Sequence, residues 1–304
     1  MTEALDGARL DKATVELAAG LLSRAKVKRA IESGDVRVNG KRRAKGALVA
    51  KGDRISIEGE AAEADEGAVA EPGAPLVVRF ESSAVLVVDK PAGQPTAPLR
   101  AGERGTLANA LLGRYPELAG IGYAAREPGL LHRLDTDTSG LVVVARSAEV
   151  FERLKGALKE GQITKRYLLL CAEDGLADDG SIAFPIASHP KDQRRVLACI
   201  HPRDVIRYAP RPASTRYRVV SRHGAWALVE AEVSRALRHQ IRAHFAATEH
   251  PLVGDSLYGG PVIEGLGRHA LHASYVAFDG GGDAALRFAV ESPLPDELAR
   301  LTHA

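Results

Sequence analysis

A chain of 304 residues with 45% hydrophobic content can bury a large core and has the length of two domains. Its net charge of +2 is unevenly spread: residues 1–57 hold 13 Lys or Arg and 7 Asp or Glu (+6), residues 58–75 hold six acids and no base (−6), and 76–304 carry +2. Cys171 and Cys199 lack metal-type spacing, the start MTEALDGARLDK lacks an apolar signal core, and no stretch approaches bilayer length. These features argue against disulfide-framework, metal-cluster and membrane proteins, and predict a cytoplasmic monomer.

Residues 1–57 read as a small basic α/β domain. Ser23 is placed to cap a helix from Arg24 to about Glu32, with Val27, Ala30 and Ile31 as its inner stripe. Arg24 and Lys28 lie one turn apart on the outer face. Ser33-Gly34-Asp35 ends the helix, Val36-Arg37-Val38 alternates as a strand, and Asn39-Gly40 signals a hairpin. Lys41, Arg42, Arg43 and Lys45 follow, before Gly52-Asp53 turns into the strand Ile55-Ser56-Ile57. An ordinary solvated face is the bland reading of these charges; bases grouped on one helix and the next turn also suit phosphate contacts. Residues 58–75, EGEAAEADEGAVAEPGAP, cannot bury themselves and are expected to form an acidic flexible linker.

Beyond Pro75 the pattern is mixed. Val85–Val88 reads as a strand running into Lys90-Pro91-Ala92-Gly93, and Thr106 to Tyr115 as a helix. Leu141 to Ala145 reads as a strand buried on both faces, preceded by the polar turn HRLDTDTSG. A helix from Ala148 to Glu160 and a strand from Ile163 to Cys171 follow, then a hairpin of Thr215–Val220 and Ala225–Val233. LRHQIRAHFAAT is expected as a helix with Leu237, Ile241 and Phe245 inward and Arg238 and Arg242 together on the other side. HPLVGDSLYGG is a Gly-rich loop and ALHASYVAF a further strand. The order is α+β, not a repeating β-α-β unit.

Common chemical motifs are absent: there is no GxxxxGK[ST], GxGxxG, HExxH or CxxC. The spacing of His239, His244 and His250 fits no standard metal site. Asp135 and Asp137, two apart on an extended turn, point in different directions and do not suit a glycosidase pair. Turn-forming residues alone account for HRLDTDTSG, so the local pattern leaves its role open.

Two resemblances bear on it. RLDK at 9–12, LSRAKVKRAI at 22–31, VRVNGK at 36–41 and KGDRISI at 51–57 resemble the S4-like RNA-binding domain. That resemblance implies RNA contacts by the helix start and the hairpin, through Ser23, Arg24, Lys26, Lys28, Arg29, Lys41, Arg42 and Arg43. HRLDTDTSGLVVVAR, with DKPAG at 89–93, KRYLLL at 165–170, HQIRAHF at 239–245, HPLVGDSLYG at 250–259 and LHA at 271–273, resembles the RluA-type pseudouridine synthases. The implied architecture is the S4-like domain at 1–57, the linker at 58–75, and a catalytic domain at 76–304. The last would hold a mixed, largely antiparallel sheet flanked by helices around a central cleft.

The second resemblance implies isomerisation of uridine in RNA, ribosomal ahead of transfer RNA, with no metal or organic cofactor. It places the catalytic carboxylate on Asp135, the base-flipping arginine on Arg133, the aromatic beside the uracil on Tyr167, the arginine that pairs with the carboxylate on Arg242, and an apolar pocket wall on Leu271. The carboxylate would stabilise the sugar, attack it, or take a ribose proton. The family's Gly-Arg-Thr before His-Gln-Ile-Arg is replaced by Ala236-Leu237-Arg238, with Arg238 a candidate substitute one position later. The alternatives are a catalytically silent RNA-binding or ribosome-assembly protein on the same fold, and an RNA N-glycosidase.

Overall fold

A computed structural model describes residues 5–18, 22, 24–58 and 67–302, and the chain divides into two compact units, 1–74 with 97–130 and 75–96 with 131–304. In the first unit α1 (Leu10–Leu17) and α2 (Arg24–Ser33) precede β1 (Val36–Val38), β2 (Lys41–Arg42) and β3 (Ile55–Ile57). The three strands form an antiparallel sheet in the order β2-β1-β3. Val27, Ala30 and Ile31 of α2 pack with Leu10, Ala13, Val36, Val38 and Val49, the apolar stripe that their spacing calls for. Asn39 and Gly40 both have positive φ, 52° and 76°, as a two-residue type I′ hairpin requires. The Asn39 side chain then ties the hairpin to β3, accepting from Arg54 N at 2.9 Å and donating to Asp53 Oδ1 at 2.7 Å. Ser23, the expected cap, lies outside the described residues, as does the side chain of Arg24.

The same unit contains α3 (Leu107–Arg114), opened by a reciprocal cap between Thr106 and Asn109. Asn109 Nδ2 donates to Val69 O at 2.7 Å, Glu71 N to Asn109 O at 3.0 Å, and Gly105 N to Glu71 Oε2 at 2.7 Å. Of the expected flexible linker, residues 59–66 lie outside the described residues, and 67–74 are held against the α3 start instead of hanging free. Composition predicted that this stretch buries nothing; hydrogen bonds, including a carboxylate near a helix N-terminus, hold it without a core. Residues 97–130 group with this unit.

The second unit contains β4 (Val77–Glu81), β5 (Val85–Lys90), β6 (Ser139–Ala145), α4 (Ala148–Glu160), β7 (Thr164–Ala172), β8 (Asp179–Ile182), β9 (Ile186–Ser188), β10 (Val196–Ala198), α5 (Pro202–Tyr208), β11 (Thr215–His223), β12 (Trp226–Glu232), α6 (Gln240–Ala247), β13 (Leu271–Phe278), β14 (Phe288–Glu291) and α7 (Asp296–Ala299). Its main sheet runs β4-β5-β6-β13-β7-β12-β11-β8, with β14 beside the far half of β13. Every pair is antiparallel except β6–β13. All seven residues of β6 are buried, which explains the uninterrupted apolar run. At Gly140 a Cβ would stand 2.3 Å from Ala273 O, so only glycine lets β6 close on β13 here. That junction sets the turn before β6 beside the start of β13. No helix among the described residues is long and apolar enough to cross a membrane.

One expected element is corrected. The helix predicted from Leu237 begins at Gln240, because His239 takes a left-handed conformation (φ 52°). The Gln240 side chain pins that turn, accepting from Leu237 N at 3.0 Å and donating to Ser214 O at 2.9 Å. Arg242 therefore faces inward and is 6% exposed, while Arg238 stays outside α6 and donates to Gln193 O and Arg195 O at 2.8 and 2.7 Å.

Candidate active site

Asp135 sits in the turn that feeds β6, and three groups fix the backbone around it. Thr96 Oγ1 donates to Leu134 O at 2.7 Å. Lys90 Nζ, at the end of β5, donates to Thr136 O at 3.0 Å and to Pro91 O and Gln94 O, both at 2.8 Å. Arg268 Nη1 donates to Asp137 O at 3.2 Å and Leu271 O at 3.1 Å, and Nη2 to Ser139 Oγ at 3.2 Å. Three carbonyls at positions 134, 136 and 137 are thus held from three directions. Burial lowers the Lys90 pKa to about 8, with Asp137 and Asp135 opposing it. Arg268 is itself anchored by Glu297 at 2.7 Å, on α7.

The Asp135 carboxylate is held from α6. Arg242 Nη1 lies 3.0 Å from Asp135 Oδ2, while its Nε and Nη2 form a two-point contact with Asp255 at 2.7 and 2.9 Å. Asp255 is 2% exposed, so this pair is dry and its geometry rigid. Asp255 attracted no reading at the sequence level, although a carboxylate among Gly, Leu, Val and Tyr in HPLVGDSLYG is the pattern that marks a buried, paired acid. Lys90 and Arg268 were likewise missed; a lysine closing a buried strand was the available signal for the first.

Arg133, Leu134, Asp135, Tyr167, Leu237, His239, Ile241, Arg242 and Leu271 line one pocket. The structure thus brings Asp135, Arg133, Tyr167, Arg242 and Leu271 together from β6's turn, β7, α6 and β13. Tyr167 and Leu271 are each 5% exposed and form apolar wall; Arg133 is exposed at the rim. Burial, then the Asp135 charge, raises the Tyr167 pKa, so the phenol stays protonated. Leu237 lines this pocket, and Arg238 is not among its lining residues. Across Asp135, His239 and Arg242 lies a second, polar pocket with Asp137, Asp255, Ser256, Arg268 and His269 in its wall. In the first unit Lys28, Arg29, Lys41, Arg42 and Arg43 are exposed and Lys26 is half-buried. Lys28 forms an ion pair with Glu32 at 3.7 Å.

Residues 84–247 match the family described as RNA pseudouridylate synthase, and residues 9–55 match the S4 domain. The chain is 34% identical to the ribosomal large subunit pseudouridine synthase D of Yersinia pestis, over 88% of this chain and 82% of that one. It is 33% identical to the protein of that name from Vibrio parahaemolyticus, over 98% and 91%. Among solved structures, human RNA pseudouridylate synthase domain containing 1 shares the fold at a TM-score of 0.57 and 24% identity, over 76% of this chain and 90% of that one.

Proposed function

The chain belongs to the RNA pseudouridylate synthase family, an isomerase acting on RNA, and from that premise we propose that it converts specific uridines of ribosomal RNA to pseudouridine with Asp135 as the catalytic carboxylate. The observation that carries the assignment to Asp135 is its anchoring by Arg242 at 3.0 Å, in a pocket walled by Tyr167 and Leu271.

The reaction exchanges the bond from uracil N1 to ribose C1′ for one from C5 to C1′. Breaking the first leaves positive character at the sugar, which a carboxylate beside it stabilises or captures. Uracil then turns so that C5 faces C1′, bonds there, and loses the C5 proton while N1 regains one. No net oxidation or reduction occurs. Tyr167, Leu271, Leu134 and Ile241 suit this step because apolar walls hold a base by its faces without fixing its edges, and a loosened ring can rotate. Arg133, exposed at the rim, would occupy the space a flipped nucleotide leaves in the RNA. The exposed bases of the head, Lys28, Arg29, Lys41, Arg42 and Arg43 with half-buried Lys26, would hold flanking phosphates; ribosomal RNA is preferred to transfer RNA on the relatives' names.

Tritium release from RNA labelled at uridine C5 tests this. Asp135→Asn keeps the shape without the charge and is expected to abolish release while RNA still binds. Asp137→Asn is the matched control: its side chain is exposed, with no hydrogen-bond partner among the described residues. Activity within a few-fold of wild type and stability within about 0.5 kcal/mol are expected for it. An active Asp135→Asn enzyme would overturn the assignment, and abasic sites in place of pseudouridine would establish base release.

A further inference from the structure

Asp135 Oδ2 receives Arg242 Nη1 at 3.0 Å, and the Nε2 of His239 stands 3.6 Å from the same oxygen. Among the described residues none donates to Oδ1. His239 reaches this position through a left-handed backbone (φ 52°), uncommon for a residue with a side chain, which interrupts the chain just before α6. The opposite ring nitrogen, Nδ1, lies 3.1 Å from the Tyr258 hydroxyl, and that oxygen accepts from Val196 N at 2.8 Å. Tyr258 is 8% exposed, so its hydroxyl proton needs an acceptor inside the protein. Nδ1 is in reach to take it. The remaining proton of a neutral imidazole is then on Nε2, facing Asp135. Burial lowers the His239 pKa, with Asp135 opposing, which favours this neutral form.

We propose that His239 is a positioning residue: locked by Tyr258 as the Nε2–H tautomer, it joins Arg242 on Oδ2 and leaves Oδ1 as the atom presented to the ribose. The inference rests on the reading of Asp135 as the catalytic carboxylate. A single donor on Oδ2 lets the carboxylate pivot about its Cβ–Cγ bond; two donors on one oxygen aim the other. A neutral donor suits the role better than a second cation, because it orients the carboxylate while withdrawing less of its charge. The 3.6 Å separation is slightly longer than a hydrogen bond, and such contacts tighten when substrate fills a site and expels water. Arg242, held at two points by Asp255, provides the fixed side of the clamp.

The experiment compares His239→Gln, His239→Asn and His239→Phe in the full chain, by single-turnover tritium release and by RNA affinity. The amide nitrogen of glutamine falls near the place of Nε2, that of asparagine near Nδ1, and phenylalanine keeps the shape with no donor. His239→Phe and His239→Asn are expected to slow the step by roughly 10- to 100-fold, the usual effect of losing a group that orients a reacting ligand, with affinity within about 3-fold. His239→Gln is expected to recover most of the rate. Tyr258→Phe should slow the wild-type enzyme several-fold and leave the His239→Gln enzyme unaffected. A wild-type rate in His239→Phe, a His239→Gln enzyme as slow as His239→Asn, or equal slowing by Tyr258→Phe in both backgrounds would each overturn the proposal. Asp135→Asn run alongside separates the two ideas: if it is inactive while His239→Phe is active, only the role of His239 fails.

Discussion

In the head, Lys28, Arg29, Lys41, Arg42 and Arg43 stand exposed on α2 and around the β1–β2 hairpin, outside a small apolar core. In the second unit Lys90, Arg242 and Arg268 are buried, and each is committed to named partners around Asp135. The difference is one of dielectric. Exposed cations attract a polyanion from a distance, are screened by salt, and are individually replaceable. Buried cations contribute little to long-range attraction but define the position of every group they touch, and removing one strands its partners. The head presents its charge to solvent, and the interior of the second unit uses its charge to hold a geometry.

The largest expected effect lies on the buried side. Arg242→Leu leaves Asp255, 2% exposed, without its counter-ion. A stability loss of about 3–5 kcal/mol is expected, together with loss of isomerisation. Urea unfolding and tritium release measure the two, and Arg242→Lys, which keeps the charge but not the fork, should fall between. Full activity and stability in Arg242→Leu would erase the contrast between the two regions.

Acid comes next. Burial, reinforced by the charges of Arg242, Arg268 and Lys90, lowers the His269 pKa to about 2. His269 is 4% exposed, and its Nε2 lies 2.7 Å from Thr138 Oγ1 in the segment leading into β6. The unfolded chain takes up this proton near pH 6.5, whereas the folded chain does not until about pH 2. The unfolded state therefore binds more protons across that window, and stability is lost as pH falls, by up to about 1.4 kcal/mol per unit from this group. Unfolding midpoints measured from pH 7 to pH 4 should drop more steeply for the wild type than for His269→Gln. Parallel curves would show that His269 does not carry this sensitivity.

The smallest expected effect on the fold is on the exposed side. Reversing Arg29, Lys41 and Arg43 together to glutamate should weaken RNA binding by at least about 10-fold. It should also flatten the dependence of log affinity on log salt by roughly 0.7–0.9 for each phosphate that is no longer neutralised. The midpoint of unfolding and the single-turnover rate at saturating RNA should stay near wild type. An unchanged salt slope would show that these residues form an ordinary solvated face.

Short-range physics was legible in the sequence alone. The apolar spacing of α2, the Asn39-Gly40 hairpin, the span of α4 from Ala148 to Glu160, and the buried run of β6 are each decided by neighbours a few residues apart. Asp135, Arg133, Tyr167, Arg242 and Leu271 were legible as a set through motifs, and the fold brings them to one pocket. Only the tertiary structure decided what long-range contacts decide. Arg242 turned inward because a left-handed His239 restarts the helix at Gln240 and because Asp255, thirteen residues away, offers a dry two-point partner. Residues 67–74 found hydrogen bonds on α3, where their composition predicted a free tether. Lys90, Arg268 and Asp255 each have partners from distant parts of the chain, since a buried charge is defined by the groups that surround it in space.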